Sequence, residues 1–231
     1  MEMVMGKSLP YNATLVGRVD LTDKLSILRV QPDETWGPAG DGTIPEFEPG
    51  QYISLGLNNL EDEEKGAVQR AYSIASPPEE KRWLEFYIRF VDQPASDNPL
   101  THQLWKLKAG DLLFLGKKIV GHFTLAKSIA PDDTRLRVTV AAGTGLAPFY
   151  SMVASARNRG QDVRRFAVLH GVSYEADLGY RRELEELFRE APGLYMPTIS
   201  RPAQCPGWTG ATGRVESHFA DPDKLAALEE R

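Results

Sequence analysis

The chain has 231 residues, a formal net charge of −5, and an apolar fraction of 42%. This length can bury one large core or two modest ones, and the composition is that of an ordinary globular protein. The negative charge argues against a general nucleic-acid or anionic-membrane surface, and no stretch is long and apolar enough to predict a transmembrane span. Because residues 1–10 lack the apolar core of a signal peptide, we expect a cytoplasmic protein.

The single cysteine, Cys205, bears on redox chemistry. One cysteine excludes an internal disulfide and cannot by itself ligate an iron-sulfur cluster. The four histidines are scattered without the spacing of metal ligands, so the sequence predicts no metal site.

The first half of the chain is a series of short strands with partial apolar alternation. The pattern predicts strands over 14–20, 25–31, 51–57, 70–76, 83–91 and 112–115, and a last strand or a turn over 120–125. Helical spacing of leucines predicts one helix over 99–107, with Asn98 as its N-cap and Pro99 at its first position.

The strand over 70–76 carries unusual chemistry. Alternation along an extended chain places Arg70, Tyr72, Ile74 and Ser76 on one face and Ser73 on the other. A cation, an aromatic ring and hydroxyls on one strand suit a ligand with phosphates and an aromatic ring system, such as flavin adenine dinucleotide (FAD). The alternative is an ordinary strand whose tyrosine packs and whose arginine is solvated.

The second half of the chain has a different pattern after a linker around residues 126–134. Strands over 135–140, 163–170 and 195–200 alternate with helices over 148–159 and 176–190. This succession predicts a parallel sheet covered by helices, with ligands at the carboxyl ends of its strands.

A glycine turn follows the first of these strands. Gly143, Thr144 and Gly145 lead into a helix with Ala147 and Pro148 at its start. Glycines let the backbone approach a phosphate, and a helix start presents unpaired N–H groups, so this turn is a candidate anion site.

The two motifs, Arg70-x-Tyr72-Ser73-x-x-Ser76 and 143–149, occur in an order and at a separation that resemble the ferredoxin-NADP reductase superfamily, and in particular its bacterial ferredoxin/flavodoxin-NADP reductases. The resemblance covers the chain from about Thr14 to its end. It implies an FAD-binding antiparallel β-barrel over residues 1–130 and an NADP-binding α/β domain over residues 131–231.

The resemblance also implies the chemistry. Hydride would pass between NADPH and FAD, and single electrons would pass between FAD and ferredoxin or flavodoxin. Ser73 and Tyr72 would be the catalytic residues, with Ser73 bonded near flavin N5 and Tyr72 packed on the ring, while Arg70 neutralises the diphosphate. The remaining expected cofactor contacts are Ser76, Tyr87, Thr101, Gly121, Thr124, Gly143, Thr144, Gly145, Ala147 and Pro148. The segment that contains Gly121 and Thr124 is equally compatible with an ordinary turn.

NADP is expected rather than NAD, because a 2'-phosphate requires positive charge and arginine supplies a bidentate fork. Arg201 follows a predicted strand end, Arg214 lies further along, and both match phosphate-binding positions of the bacterial reductases, with Ser173 near the same pocket. The alternative is that both arginines are ordinary exposed charges.

The expected partner is a separate acidic carrier, ferredoxin or flavodoxin, and the protein is expected to be a monomer. Candidates for a docking patch are Lys106, Lys108, Lys117 and Lys118. Two alternatives stay open: the reductase component of an oxygenase or a general flavin reductase, and an FAD-binding electron-transfer module without nicotinamide activity.

The resemblance ends early at the C-terminus. Relatives continue with a strand ending in Cys-Gly, a helix and a tail, so we expect an α/β domain that lacks its last strand and helix. The final residues, 223–231, are predicted to be helical.

Overall fold

The computed structural model describes residues 8–130 and 132–220. Its first half is a six-stranded antiparallel sheet in the order β4-β3-β6-β1-β2-β5. The strands are β1 (Ala13–Thr22), β2 (Leu25–Pro32), β3 (Tyr52–Asn58), β4 (Ala67–Ser73), β5 (Leu84–Arg89) and β6 (Leu112–Leu115). Each predicted strand of this half is present, with ends shifted by a few residues.

The sheet closes into a barrel just after β4. The chain leaves β3 beyond Ser73, and the Ala75 N–H donates to the Glu85 carbonyl at 2.8 Å. The Glu85 N–H in turn donates to Ser76 Oγ at 3.0 Å. These bonds join the two outer strands of the sheet, so the edges are paired and the interior is filled with apolar side chains such as Leu15 and Phe86.

The helix of this half, α1 (Leu100–Leu104), is shorter than predicted, and its N-cap differs. Pro99 occupies the N-cap position without a side-chain bond. Asn98 is instead buried, and it accepts a hydrogen bond from the Asn59 amide at 3.1 Å. The predicted N-cap was therefore wrong, because the Asn98 side chain is used to hold the loop between β3 and β4.

The second half is a parallel sheet in the order β10-β9-β8-β7, as predicted. Its strands are β7 (Arg137–Ala142), β8 (Phe166–Val172), β9 (Tyr195–Ile199) and β10 (Ala211–Thr212). The helices are α2 (Leu125–Ser128) before the sheet, then α3 (Ala147–Asn158), α4 (Arg181–Leu187) and α5 (Ser217–Ala220). Within the described residues β7 is an edge strand.

The two sheets share an apolar core. Leu25, Ile27 and Tyr87 of the barrel pack in one cluster with Ala147 of α3 and Leu184 of α4. No described helix has the length and apolarity needed to cross a bilayer. Residues 8–130 and 132–220 contain no cluster of side chains suited to a metal ion. The helix predicted over 223–231 lies outside the described residues.

Candidate functional site

The barrel side of the site is the end of β4. Tyr72 is half-buried and packs on the barrel core, and this burial raises the pKa of its phenol to about 12. Arg70 is exposed and donates to the Gln69 carbonyl at 2.8 Å. Ser73 ends the strand and is paired with Tyr52 of β3. A cation, a ring and a hydroxyl thus lie within four residues of one strand.

Tyr52 belongs to the same surface, and the sequence reasoning did not assign it to the site. Its side chain is 40% exposed, and its backbone bonds to Val120 at 2.8 and 3.0 Å. Gly121 has φ +129°, and a Cβ there would lie 3.1 Å from the Tyr52 ring. The glycine therefore lets the chain pass against the ring. Tyr52 and Ser73 are paired across two strands, and no local sequence motif predicts this pairing.

Three of the hydroxyls predicted to contact the cofactors are directed into the protein. Ser76 is buried, with its Oγ accepting from Glu85 and its carbonyl accepting from Ser151 Oγ at 2.9 Å. Thr101 Oγ1 is 3.4 Å from the Val91 amide. Thr124 is buried, and its Oγ1 has no partner among the described residues. Ser76 and Thr101 therefore serve the barrel in this arrangement.

Tyr87 is also directed into the protein. It is 4% exposed, and its hydroxyl donates to the Asp177 carbonyl at 2.9 Å and accepts from the Gly179 amide at 3.1 Å. Burial raises the pKa of this phenol, so the hydroxyl remains protonated. Asp177 and Gly179 both belong to the second half of the chain. The Tyr87 hydroxyl therefore connects the barrel to that half through one donated and one accepted hydrogen bond.

The glycine turn is open on its outer side. Residues 143–146 form a single 3₁₀ turn that continues into α3 at Ala147. Gly143 has φ +53°, and a Cβ added at Gly143 or Gly145 would meet no atom within 4 Å. Ala147 and Pro148 are buried beneath the turn, so they support it from inside. The open space and the start of a twelve-residue helix suit an anionic group.

A cleft of about 270 Å³ lies at the carboxyl ends of the parallel strands, beside the glycine turn. Its wall includes Gly143, Ser173 and Ser200 at strand ends of the parallel sheet, and Arg89 from the end of β5. The Arg89 guanidinium is 2.9 Å from a carboxylate oxygen of Asp177, whose side chain is 6% exposed. Arg89 is thus the barrel residue in this wall, with its charge paired to Asp177, and the sequence reasoning missed it.

The two predicted phosphate-binding arginines differ in their surroundings. Arg201 donates to the Tyr174 hydroxyl at 2.5 Å, and its guanidinium carbon lies 5.3 Å from the centre of that ring. Its backbone N–H donates to the Ser173 carbonyl at 3.1 Å. Arg214 borders the cleft and pairs with Glu216 at 2.5 Å, so its charge is largely compensated. Arg201 is therefore held by Tyr174, whereas Arg214 lies in the wall of the cleft.

The four lysines do not form one patch. Lys106 pairs with Glu61 at 2.5 Å, beyond the Asn58 end of β3. Lys117 and Lys118 are exposed, and they are close in sequence to Val120 at the Tyr52 end of β3. The seven residues of β3 separate these ends by roughly 20 Å. The expectation of a single patch was therefore wrong, and Lys117 and Lys118 are the pair nearer Tyr52.

The barrel side and the glycine turn are neighbours. The ring of Phe123 makes an edge contact with Phe149 in the first turn of α3, at 5.5 Å between centroids. Gly50 packs so closely on the Phe123 carbonyl and on Met152 of α3 that no side chain would fit there. The segment around Gly121 and the start of α3 therefore lie together at one junction.

Comparisons with known proteins agree with this arrangement. Residues 139–229 match the family described as oxidoreductase NAD-binding domain. The chain is 32% identical over 213 residues to the phenol hydroxylase P5 protein of Acinetobacter pittii, covering 91% of this chain and 53% of the relative. It therefore spans about half the length of that protein.

The flavodoxin/ferredoxin-NADP reductase of Rhodobacter capsulatus is 33% identical over 204 residues, covering 84% of this chain and 68% of the relative. The fold is similar to a ferredoxin NADP+ reductase from Neisseria gonorrhoeae solved with bound FAD and NADP, at a TM-score of 0.71 and 24% identity, covering 94% of this chain and 78% of that one. The chain belongs to the ferredoxin-NADP reductase superfamily.

Proposed function

We propose that this chain is a flavin-dependent reductase that takes hydride from NADPH and passes single electrons to a separate redox protein. The cleft at the carboxyl ends of the parallel strands carries the proposal, because Arg89 of the barrel joins Gly143 and Ser173 of the second half in its wall. FAD, when bound, supplies the conversion between a two-electron donor and a one-electron acceptor.

The residues at the end of β4 fit FAD. Tyr72 offers a half-buried ring on which the flavin can pack, and Ser73 offers a hydroxyl at the strand end. Arg70 is exposed and can neutralise the diphosphate. Because hydride transfer needs orientation rather than proton abstraction, the role of these side chains is to bind and align, and none acts as a general base.

The residues of the cleft fit a nicotinamide dinucleotide. The open backbone at Gly143 and Gly145 can receive phosphate oxygens, and the guanidinium of Arg89, which is paired with Asp177, also lines the cleft. The Tyr174–Arg201 pair holds a guanidinium beside the strand ends of the parallel sheet, which supports a preference for the 2'-phosphate of NADPH over NADH. Ser173 and Ser200 offer hydroxyls nearby.

Two kinds of electron acceptor have specific support. The similarity to a flavodoxin/ferredoxin-NADP reductase favours a small acidic carrier, and the exposed Lys117 and Lys118 suit its docking. The similarity to the phenol hydroxylase P5 protein favours an oxygenase as the acceptor. We place the acidic carrier first, because it has the support of surface charge beside the flavin residues. The monomeric state and the cytoplasmic location stay predictions.

A partner assay tests this proposal. The FAD-loaded chain is mixed with NADPH and one acceptor at a time: ferricyanide, a ferredoxin, a flavodoxin, or an oxygenase component. We expect reduction of ferricyanide and of at least one acidic carrier. Reduction of the oxygenase component alone would favour the second kind of acceptor. Loss of all NADPH-dependent reduction, ferricyanide included, would favour a module without nicotinamide activity.

A further inference from the structure

His170 is a polar residue in an apolar strand. It lies in β8, where it follows Ala167, Val168 and Leu169, and its side chain is fully buried. The register of the sheet pairs it with Ala141 of β7. Burying an imidazole costs free energy unless a partner accepts its hydrogen, so the contact that the ring makes is informative.

That contact is with the glycine turn. His170 Nε2 lies 3.1 Å from the carbonyl oxygen of Gly143. A carbonyl oxygen only accepts hydrogen bonds, so Nε2 carries the hydrogen and donates. Burial lowers the pKa of the imidazole to about 4, so the ring is neutral near pH 7. Among the described residues Nδ1 has no partner, which makes the bond to Gly143 the one that fixes the ring.

This bond orients the peptide that links Gly143 to Thr144. In a trans peptide the C=O and the following N–H point in opposite directions. With the Gly143 oxygen directed at His170, the Thr144 N–H is directed away from it. The 3₁₀ turn over 143–146 already restrains this backbone, and Gly143 adopts its φ of +53° without strain, so the bond from His170 adds to the restraint that the turn supplies.

We propose that His170 is a positioning residue for the diphosphate of the nicotinamide dinucleotide, acting through the Gly143–Thr144 peptide. The inference rests on the proposed function, because it assumes that the glycine turn receives that ligand. His170 does not touch the ligand. Its hydrogen bond holds the Thr144 N–H in the orientation that binds a phosphate oxygen. Ligand binding therefore does not have to order this peptide.

Two substitutions separate the hydrogen bond from packing. His170→Met keeps a comparable apolar volume and removes the donor, whereas His170→Gln keeps an N–H near the position of Nε2. In the FAD-loaded protein we expect His170→Met to raise the KM for NADPH about tenfold, equivalent to ~1.4 kcal/mol, with kcat changed by less than about twofold. His170→Gln should restore the KM to within about threefold of wild type.

Thr139→Val is the matched control. Thr139 is buried in β7 and donates to the Ala167 carbonyl of β8 at 3.2 Å, so the valine also removes a buried side-chain bond to the backbone in this sheet. We expect it to lower the melting temperature without changing the KM. An equal rise of the KM in His170→Met and Thr139→Val, or no rescue by His170→Gln, would overturn the inference.

Calorimetric titration with NADP+ measures binding without turnover. A dissociation constant that is about tenfold higher for His170→Met than for wild type supports the inference, and an unchanged constant overturns it. If the wild type binds NADP+ but its flavin is not reduced by NADPH, the proposed function fails. The ratio of the NADP+ dissociation constants of His170→Met and wild type still decides the role of His170. If the wild type does not bind NADP+, both fail.

Discussion

The hydroxyl of Tyr87 donates a hydrogen bond to the carbonyl oxygen of Asp177 at 2.9 Å and so ties a barrel strand to the loop before α4. The same hydroxyl accepts from the Gly179 amide. A Cβ on Gly179 would lie 2.5 Å from the Tyr87 ring, so the loop can approach only as glycine. This contact joins the two halves together with the bond from Ser151 Oγ to the Ser76 carbonyl.

Tyr87→Phe should therefore weaken the junction between the halves. It removes both bonds of the hydroxyl, while the Gly179 N–H keeps its bond to the Asp177 carbonyl at 3.0 Å. For two lost hydrogen bonds we expect a loss of about 1–3 kcal/mol in the free energy of unfolding. Tyr11→Phe, which removes one acceptor for the Asn58 amide within the barrel, is the control. Urea unfolding measures both, and hydride transfer should slow only in Tyr87→Phe. Equal rates in the two variants would contradict a role in orientation.

Tyr72 should contribute to FAD affinity through its ring. We expect Tyr72→Ala to weaken FAD binding about tenfold or more, since stacking on an aromatic side chain is worth ~1–3 kcal/mol per ring system. Tyr72→Phe keeps the ring and should stay within about twofold of wild type. Fluorescence quenching of added FAD measures the dissociation constants. If both substitutions weaken binding equally, the hydroxyl and not the ring is the important group.

Arg201 should determine the preference for NADPH. Removing its charge with Arg201→Gln is expected to raise the KM for NADPH by about 10- to 100-fold and to leave the KM for NADH unchanged, because only NADPH carries the 2'-phosphate. Tyr174→Phe, which removes the hydroxyl that holds Arg201, should have a smaller effect in the same direction. Arg214→Gln is the control, since Glu216 already compensates that charge. A larger rise of the KM for NADPH in Arg214→Gln than in Arg201→Gln would assign the 2'-phosphate contact to Arg214.

The docking charge should reside at Lys117 and Lys118. Converting both to glutamate is expected to raise the KM for an acidic carrier about tenfold at low ionic strength, and 0.5 M salt should remove most of the difference. The same change at Lys106 and Lys108 is the control, because Lys106 lies toward the other end of β3. Steady-state reduction of a ferredoxin measures both pairs. Equal effects would mean that the carrier binds elsewhere.

His170 should make stability depend on pH. Its pKa is lowered from 6.5 to about 4, so between these values the unfolded chain binds more protons than the folded chain. Stability contributed by the neutral ring is therefore complete above pH 6.5 and declines as the pH falls toward 4, by up to roughly 2–3 kcal/mol. Urea unfolding at pH 4.5, 5.5 and 7.5 should show a steeper decline for wild type than for His170→Met. Parallel declines would show that His170 keeps an ordinary pKa.

The order of the elements could be predicted from the sequence because alternation and glycine turns are local signals. The strand predicted over 70–76 shows that local signals do not specify strand pairing. Its first residues are in β4, but Ala75 leaves β3 to pair with Glu85. Alternation of side chains does not specify which strand a residue pairs with. It therefore puts Ser76 on one face with Arg70, although Arg70 is exposed and Ser76 is buried.

The site could be predicted where chemistry and sequence position coincide, as at Tyr72, Ser73 and the glycine turn. Arg89 and His170 could not be found in this way. Arg89 is one arginine at the end of a strand, and its position in the cleft depends on the packing of the barrel against the second half. His170 acts through a backbone carbonyl 27 residues away, a contact that only the parallel register creates.

The most direct test of the central claim is the anaerobic absorbance of the purified chain loaded with FAD, recorded before and after the addition of NADPH and, separately, of NADH. The account predicts that NADPH bleaches the flavin band rapidly and that NADH at the same concentration does so more slowly. A chain that binds FAD and whose band neither nucleotide changes would contradict the reductase assignment. Faster bleaching by NADH would contradict the role given to Arg201.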